Sequence, residues 1–127
     1  MIGYVLVATA FAVICCGCGL GKPAELGEPE ITTYTASVLG DIARDINAAT
    51  QKYDGKVVAL TGKVSSGSER SRQVYLKAPG VPTDRRIRCR LNEGEPVPNM
   101  GSTVTIIGRM NINQSSRLAS MRNCRMQ

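Results

Sequence analysis

The chain has no histidine and no tryptophan, and only one phenylalanine and four tyrosines in 127 residues. Without histidine it cannot assemble Ser-His-Asp or Cys-His catalysis, and it lacks the commonest zinc ligand. Aromatic poverty argues against a long row of base-stacking platforms. The carboxylates Asp84, Glu93 and Glu95 are isolated in loop-like stretches with no partner base. No catalytic residue, metal or cofactor is therefore expected.

What is present is lopsided charge. Residues 1–54 hold three basic and six acidic side chains, a net of −3, and residues 55–127 hold thirteen and four, a net of +9. A basic half of that size suits an anionic partner, and it also suits simple solubility. About 100 residues remain beyond the opening apolar run, enough for one domain.

That run, residues 1–21, carries no charged side chain. Ile2 to Ile14 has the length of a signal-peptide apolar region, and small residues with Cys15, Cys16 and Cys18 follow. Residues 1–18 read as a signal or lipoprotein anchor segment, with Cys18 as the lipidated residue and Cys16 as the alternative. An uncleaved spanning helix and a cleaved signal are the other fates of such a segment. Residues 19–33, with three glycines, two prolines and alternating charge, read as a flexible linker. Residues 34–127 form the expected domain.

Its first element is a helix over 35–54. Thr35 is placed as the N-cap, and Val38, Leu39, Ile42, Ile46 and Ala49 make one apolar stripe. After Gly55 the period changes to two. Five strands are predicted: Lys56–Val64, Gln73–Lys77, Arg86–Leu91, Thr103–Met110 and Leu118–Met126, the last irregular near Asn123. Residues 65–72 and 111–117 are placed in loops, with a turn near Pro79 and Pro82. A glycine in the first strand, Gly62, would let it bend toward two partners. The fold class is mainly β with one N-terminal helix, a five-stranded OB-fold barrel preceded by an apolar segment.

Several pieces in order carry a family likeness. They are Lys52-Tyr53-Asp54-Gly55-Lys56, then Val58, Leu60 and Thr61-Gly62-Lys63-Val64, the strand with Cys89, Met100 to Thr105, Ile107-Gly108-Arg109, and the closing Met121-Arg122-Asn123-Cys124. From Leu39 to Met126 the chain resembles the tRNA_anti-like family, OB-fold proteins of bacteria that are often lipoproteins. Asp45 departs from the family's pattern, where asparagine is expected. The resemblance implies a fold relative of anticodon-binding domains. It carries over no catalytic residue and is no evidence of tRNA binding.

In an OB barrel the strands of Cys89 and Cys124 are neighbours. In an exported domain the two would form a disulfide, or else pack as small buried thiols. On the second and third strands, Gln73, Tyr75 and Lys77 should face outward beside Arg86, Arg88 and Arg90. That is the face on which OB-folds commonly bind oligonucleotides and sugars. Tyr75, Lys77, Arg86, Arg88 and Arg90 are the candidate ligand-binding residues, with Arg70 and Arg72 extending the track. The same stripe would serve equally as a solvated barrel face. The leading expectation is a non-enzymatic, membrane-tethered binding module of the cell envelope, facing the periplasm or exterior. Its partner would be an envelope protein or polyanion. The alternative is a module that binds single-stranded DNA or RNA.

Overall fold

A computed structural model describes residues 26–78 and 85–127. The apolar run, Cys16, Cys18 and the turn near Pro79 lie outside the described residues. The elements are β1 (Ile31–Tyr34), α1 (Thr35–Arg44), α2 (Ile46–Tyr53), β2 (Val57–Ser68), β3 (Gln73–Lys77), β4 (Arg86–Leu91), β5 (Thr103–Asn113) and β6 (Leu118–Met126).

The strands run in the order β2-β3-β4-β6-β5, and β5 pairs back onto β2 to close a five-stranded barrel. Strands β2, β3 and β4 meander, and β5 returns beside β2, which is a Greek key. Strand β6 lies parallel to β4 and antiparallel to β5. Alternation explains which side chains turn inward. Val58, Leu60 and Val64 of β2, Val74 and Leu76 of β3, and Ile87, Cys89 and Leu91 of β4 enter one core with Ile106, Met110 and Met121. The helices close the barrel with Val38, Leu39, Ile42, Ala49 and Tyr53, close to the stripe expected from the sequence.

Five expectations are corrected. Residues 31–33 are not linker but, with Tyr34, belong to a strand. They form β1, parallel to β2, with Ile31 opposite Val58 and Tyr34 opposite Thr61. Their threonines and aromatic favour a strand, but four residues are too few to show a period. The single helix over 35–54 is two. Asp45 is extended at φ −159° and ψ 99°, and its carboxylate accepts the N–H groups of Asn47 and Ala48 at 3.1 Å. An aspartate that satisfies first-turn donors starts a new helix rather than continuing the old one. Thr35 is not the N-cap, which is Tyr34; its hydroxyl instead donates to the Thr61 carbonyl at 3.1 Å. Strand β2 also runs on to Ser68 past a bulge between Val64 and Ser66, and β5 runs on to Asn113. The irregularity expected near Asn123 is present: that residue has φ 57°, which asparagine tolerates well.

The two helices are joined through Asp41. Its Oδ2 accepts the Tyr53 hydroxyl at 2.6 Å, Arg44 holds its other oxygen, and Lys52 Nζ lies 3.4 Å away. The Tyr53 hydrogen bond first, and Arg44 next, hold the Asp41 carboxyl below its ordinary pKa. A carboxyl depressed in the folded state stabilises fully above its unfolded pKa of about 3.9, and that contribution is lost as pH falls through the lower folded value. Urea midpoints at neutral pH and near pH 3 should therefore differ less for Asp41→Asn than for the parent chain. An equal difference would mean that Asp41 adds nothing to acid sensitivity.

Candidate functional site

Strand β3 buries Val74 and Leu76 and turns Gln73, Tyr75 and Lys77 out, while β4 buries Ile87, Cys89 and Leu91 and exposes Arg86, Arg88 and Arg90. The register places Gln73 opposite Arg90, Tyr75 opposite Arg88 and Lys77 opposite Arg86. All five predicted ligand-binding residues thus share one outer face. The Arg86 guanidinium lies over the Tyr75 ring, 4.6 Å from its centroid.

Two further cross-strand rows extend this face. Lys63 of β2 lies opposite Lys77, so Lys63, Lys77 and Arg86 form a row of three cations. The next row runs from Tyr75 through Arg88 to Ser120 of β6 and Asn111 of β5. Between β3–β4 and the end of the β5–β6 hairpin lies an open groove of about 390 Å³. Tyr75, Arg86, Arg88, Asn111, Asn113 and Ser120 are among its walls. Such a groove offers guanidinium donors for anions, a planar Arg–Tyr stack, and amide and hydroxyl groups for hydrogen bonds.

The hairpin residues were missed because the predicted fourth strand stopped at Met110. Ile112 is buried between exposed Asn111 and Asn113, so the alternation did continue. The turn itself is closed by Asn113, whose side chain accepts the Ser116 N–H at 3.1 Å. Arg70 is exposed, but Arg72 is not part of the track. Its guanidinium donates to the carbonyls of Asn92 and Glu95 and fastens the loop after β4.

Among the described residues no cation of the row forms an ion pair. The ion pairs there belong to Asp41. Asp45 caps α2, Asp54 accepts the Ile112 N–H, Glu30 that of Val57 and Glu95 that of Met126. Like charges directly opposite on a sheet destabilise it. Lys77→Glu should therefore raise stability by roughly 0.5–1 kcal/mol, by placing a carboxylate between Lys63 and Arg86. The same change should weaken anion binding. Chemical denaturation and an affinity measurement check the pair of effects, and a loss of stability would remove the argument that this row is kept at a cost.

The expected disulfide is absent: Cys89 and Cys124 are free, fully buried thiols. Their strands are neighbours as expected, with Cys89 opposite Met121 and Leu91 opposite Cys124 across a register shift, and the two thiols meet as small buried groups. The hydrogen bond with Cys124, and then burial, push the Cys89 thiol well above its ordinary pKa. It is thus held protonated and unreactive near neutral pH.

Fold and site together define a small, mainly β protein: a closed five-stranded barrel with two helices and a basic groove on its outer wall that forms no ion pair among the described residues. No family model matches the chain, and no curated protein does. Among solved structures it is similar to a protein of Klebsiella pneumoniae subsp. pneumoniae MGH 78578 described as a "putative nucleic acid-binding lipoprotein". The TM-score is 0.57 at 19% identity, over 84% of this chain and 99% of that one. At that identity the likeness is one of fold.

Proposed function

We propose that the chain is a non-enzymatic, membrane-tethered OB-fold module of the cell envelope that binds an extended polyanion along the β3–β4 face. The carrying observation is the row Lys63–Lys77–Arg86 with Arg88 and Arg90 beside it, a cluster of cations that forms no ion pair with a described carboxylate. OB barrels use this wall, with the adjoining loops, to bind oligonucleotides and oligosaccharides. The apolar run ending near Cys18 supports the tether. Among described residues no helix is long and apolar enough to cross a membrane, so the tether would be the part before residue 26.

A nucleic-acid ligand has one observation in its favour, the Arg86–Tyr75 stack, on which a base can lie. The name of the Klebsiella protein points the same way for that protein. Anisotropy titrations of a labelled oligothymidylate and a labelled sulfated polysaccharide, each over a range of salt, separate the two. Polyanion binding predicts affinity that falls steeply with salt for at least one probe. Preference for the oligonucleotide at matched charge favours base stacking. No salt-dependent binding to either probe would reject the face.

A further inference from the structure

The segment ahead of β1 decides where the tether leaves the barrel. Leu26 packs on an outer cluster of Val57, Ala59 and Ile107, and Arg125 Nη2 donates to the Gly27 carbonyl at 3.3 Å. Glu30 is tied twice to Val57: its N–H donates to that carbonyl at 2.8 Å, and its Oε2 accepts that N–H at 3.1 Å. The chain is thus fastened to the barrel wall from Leu26 onward. In the sequence the uncharged run ends at Gly21. An extended chain covers at most about 3.6 Å per residue, so Leu26 lies within about 18 Å of the end of that run. Measured from Cys18, the limit is about 29 Å. A leash of this length biases toward the membrane the side of the barrel that bears Leu26.

That side carries its own cations. The register sets Val57, Arg109 and Arg122 in one row across β2, β5 and β6, and Ala59, Ile107 and Arg125 in the next. Arg109 and Arg122 are directly opposed like charges, the arrangement seen on the binding face, and Arg122 is exposed. Neither forms an ion pair among the described residues; Arg109 donates to the Gly55 carbonyl at 2.6 Å. The carboxylates of the strap are Glu28 and Glu30, and Glu30 is engaged with Val57. Strand β3 sits two places from β5 around the barrel in one direction and three in the other.

We infer that the rows of Arg109, Arg122 and Arg125 beside the Leu26 strap rest on anionic lipid headgroups, with the Asn111–Ser120 row of the groove at the edge of that contact and Tyr75 and Lys77 of β3 clear of the bilayer. Headgroup attraction falls off within a Debye length, about 8 Å at physiological salt, so it acts on cations held this near the surface. The inference rests on the tethered reading and adds an orientation to it.

The test uses the full chain reconstituted with vesicles of phosphatidylcholine alone or with added phosphatidylglycerol. Arginines are modified with phenylglyoxal and the sites mapped by mass spectrometry. Arg109 and Arg122 should react several-fold more slowly on the anionic vesicles, with the protection lost in high salt, while Arg86 and Arg88 react alike on both. In the Arg109→Glu/Arg122→Glu variant, slowed reaction of Arg125 should disappear while oligonucleotide affinity is kept; Arg122→Glu alone serves if the double variant does not fold. Equal reactivity of Arg122 on both vesicles overturns the inference but leaves the tether standing. So does protection of Arg86 and Arg88 in its place. A chain that sediments with neither vesicle overturns the tether and this inference together.

Discussion

Arg88→Glu should weaken binding of a single-stranded oligonucleotide by about tenfold to a hundredfold and leave the fold intact. Arg88 is exposed and stands between Tyr75 and Ser120 in the central row of the groove, and its side chain forms no hydrogen bond or ion pair among the described residues. Removing it therefore costs no internal contact. Loss of one well-placed arginine contact costs roughly 1–3 kcal/mol of affinity, and reversal of charge adds repulsion to the loss. The milder Arg88→Gln separates electrostatics from shape. Each phosphate contact on a single strand contributes about 0.7 to the slope of log K against log salt, so four contacts from Lys77, Arg86, Arg88 and Arg90 give a slope near −2.8. The glutamine variant should bring it to about −2.1. Unchanged affinity in Arg88→Glu, with an unchanged melting temperature, would show that this wall is only a solvated barrel face.

Gly62→Ala should destabilise the domain by about 2–3 kcal/mol, the upper range for a methyl forced into a packed core. Gly62 faces inward on β2, where the start of α1 comes down onto the barrel. A Cβ there would collide with the Thr35 Oγ1 and lie 3.1 Å from the Thr35 Cβ and 3.2 Å from the Leu76 Cβ. Thr35 cannot easily yield, because its side chain is buried and donates to the Thr61 carbonyl at 3.1 Å. Strand bending was the expected reason for this glycine. The close approach of Thr35 is the one the structure supplies. Urea denaturation of Gly62→Ala, Thr35→Ala and the double variant checks it. The double variant should cost less than the sum of the singles, since removing Thr35 Oγ1 clears the worst collision. Strict additivity would mean that the two residues do not share this space.

The outward groups on β3 and β4 were legible in advance because a strand's pleat alternates its side chains whatever its neighbours do. Val74 and Leu76, and Ile87, Cys89 and Leu91, went inward, leaving Tyr75, Lys77 and three arginines outside. The stripe Val38, Leu39, Ile42 and Ala49 was legible for the same local reason. Asp45 was not: a polar residue off the stripe reads as helix surface, yet here its carboxylate satisfies two orphan N–H groups and divides the helix. Strand β1 was missed because Ile31–Tyr34 gains strand character only from β2 beside it.

By itself the sequence determined the mainly β class, the helical stripe, the facing of each clear strand and the excess of cations after residue 55. These follow from backbone periodicity and composition, which are local. Only the tertiary structure decided which strands pair and in what register. That choice depends on contacts between residues far apart in the chain and on bulges that one strand cannot announce. It set Lys63 beside Lys77, brought Asn111 and Ser120 to the groove and let the buried thiols of Cys89 and Cys124 meet. It also laid Leu26 and Gly27, expected to belong to a flexible linker, on the barrel wall.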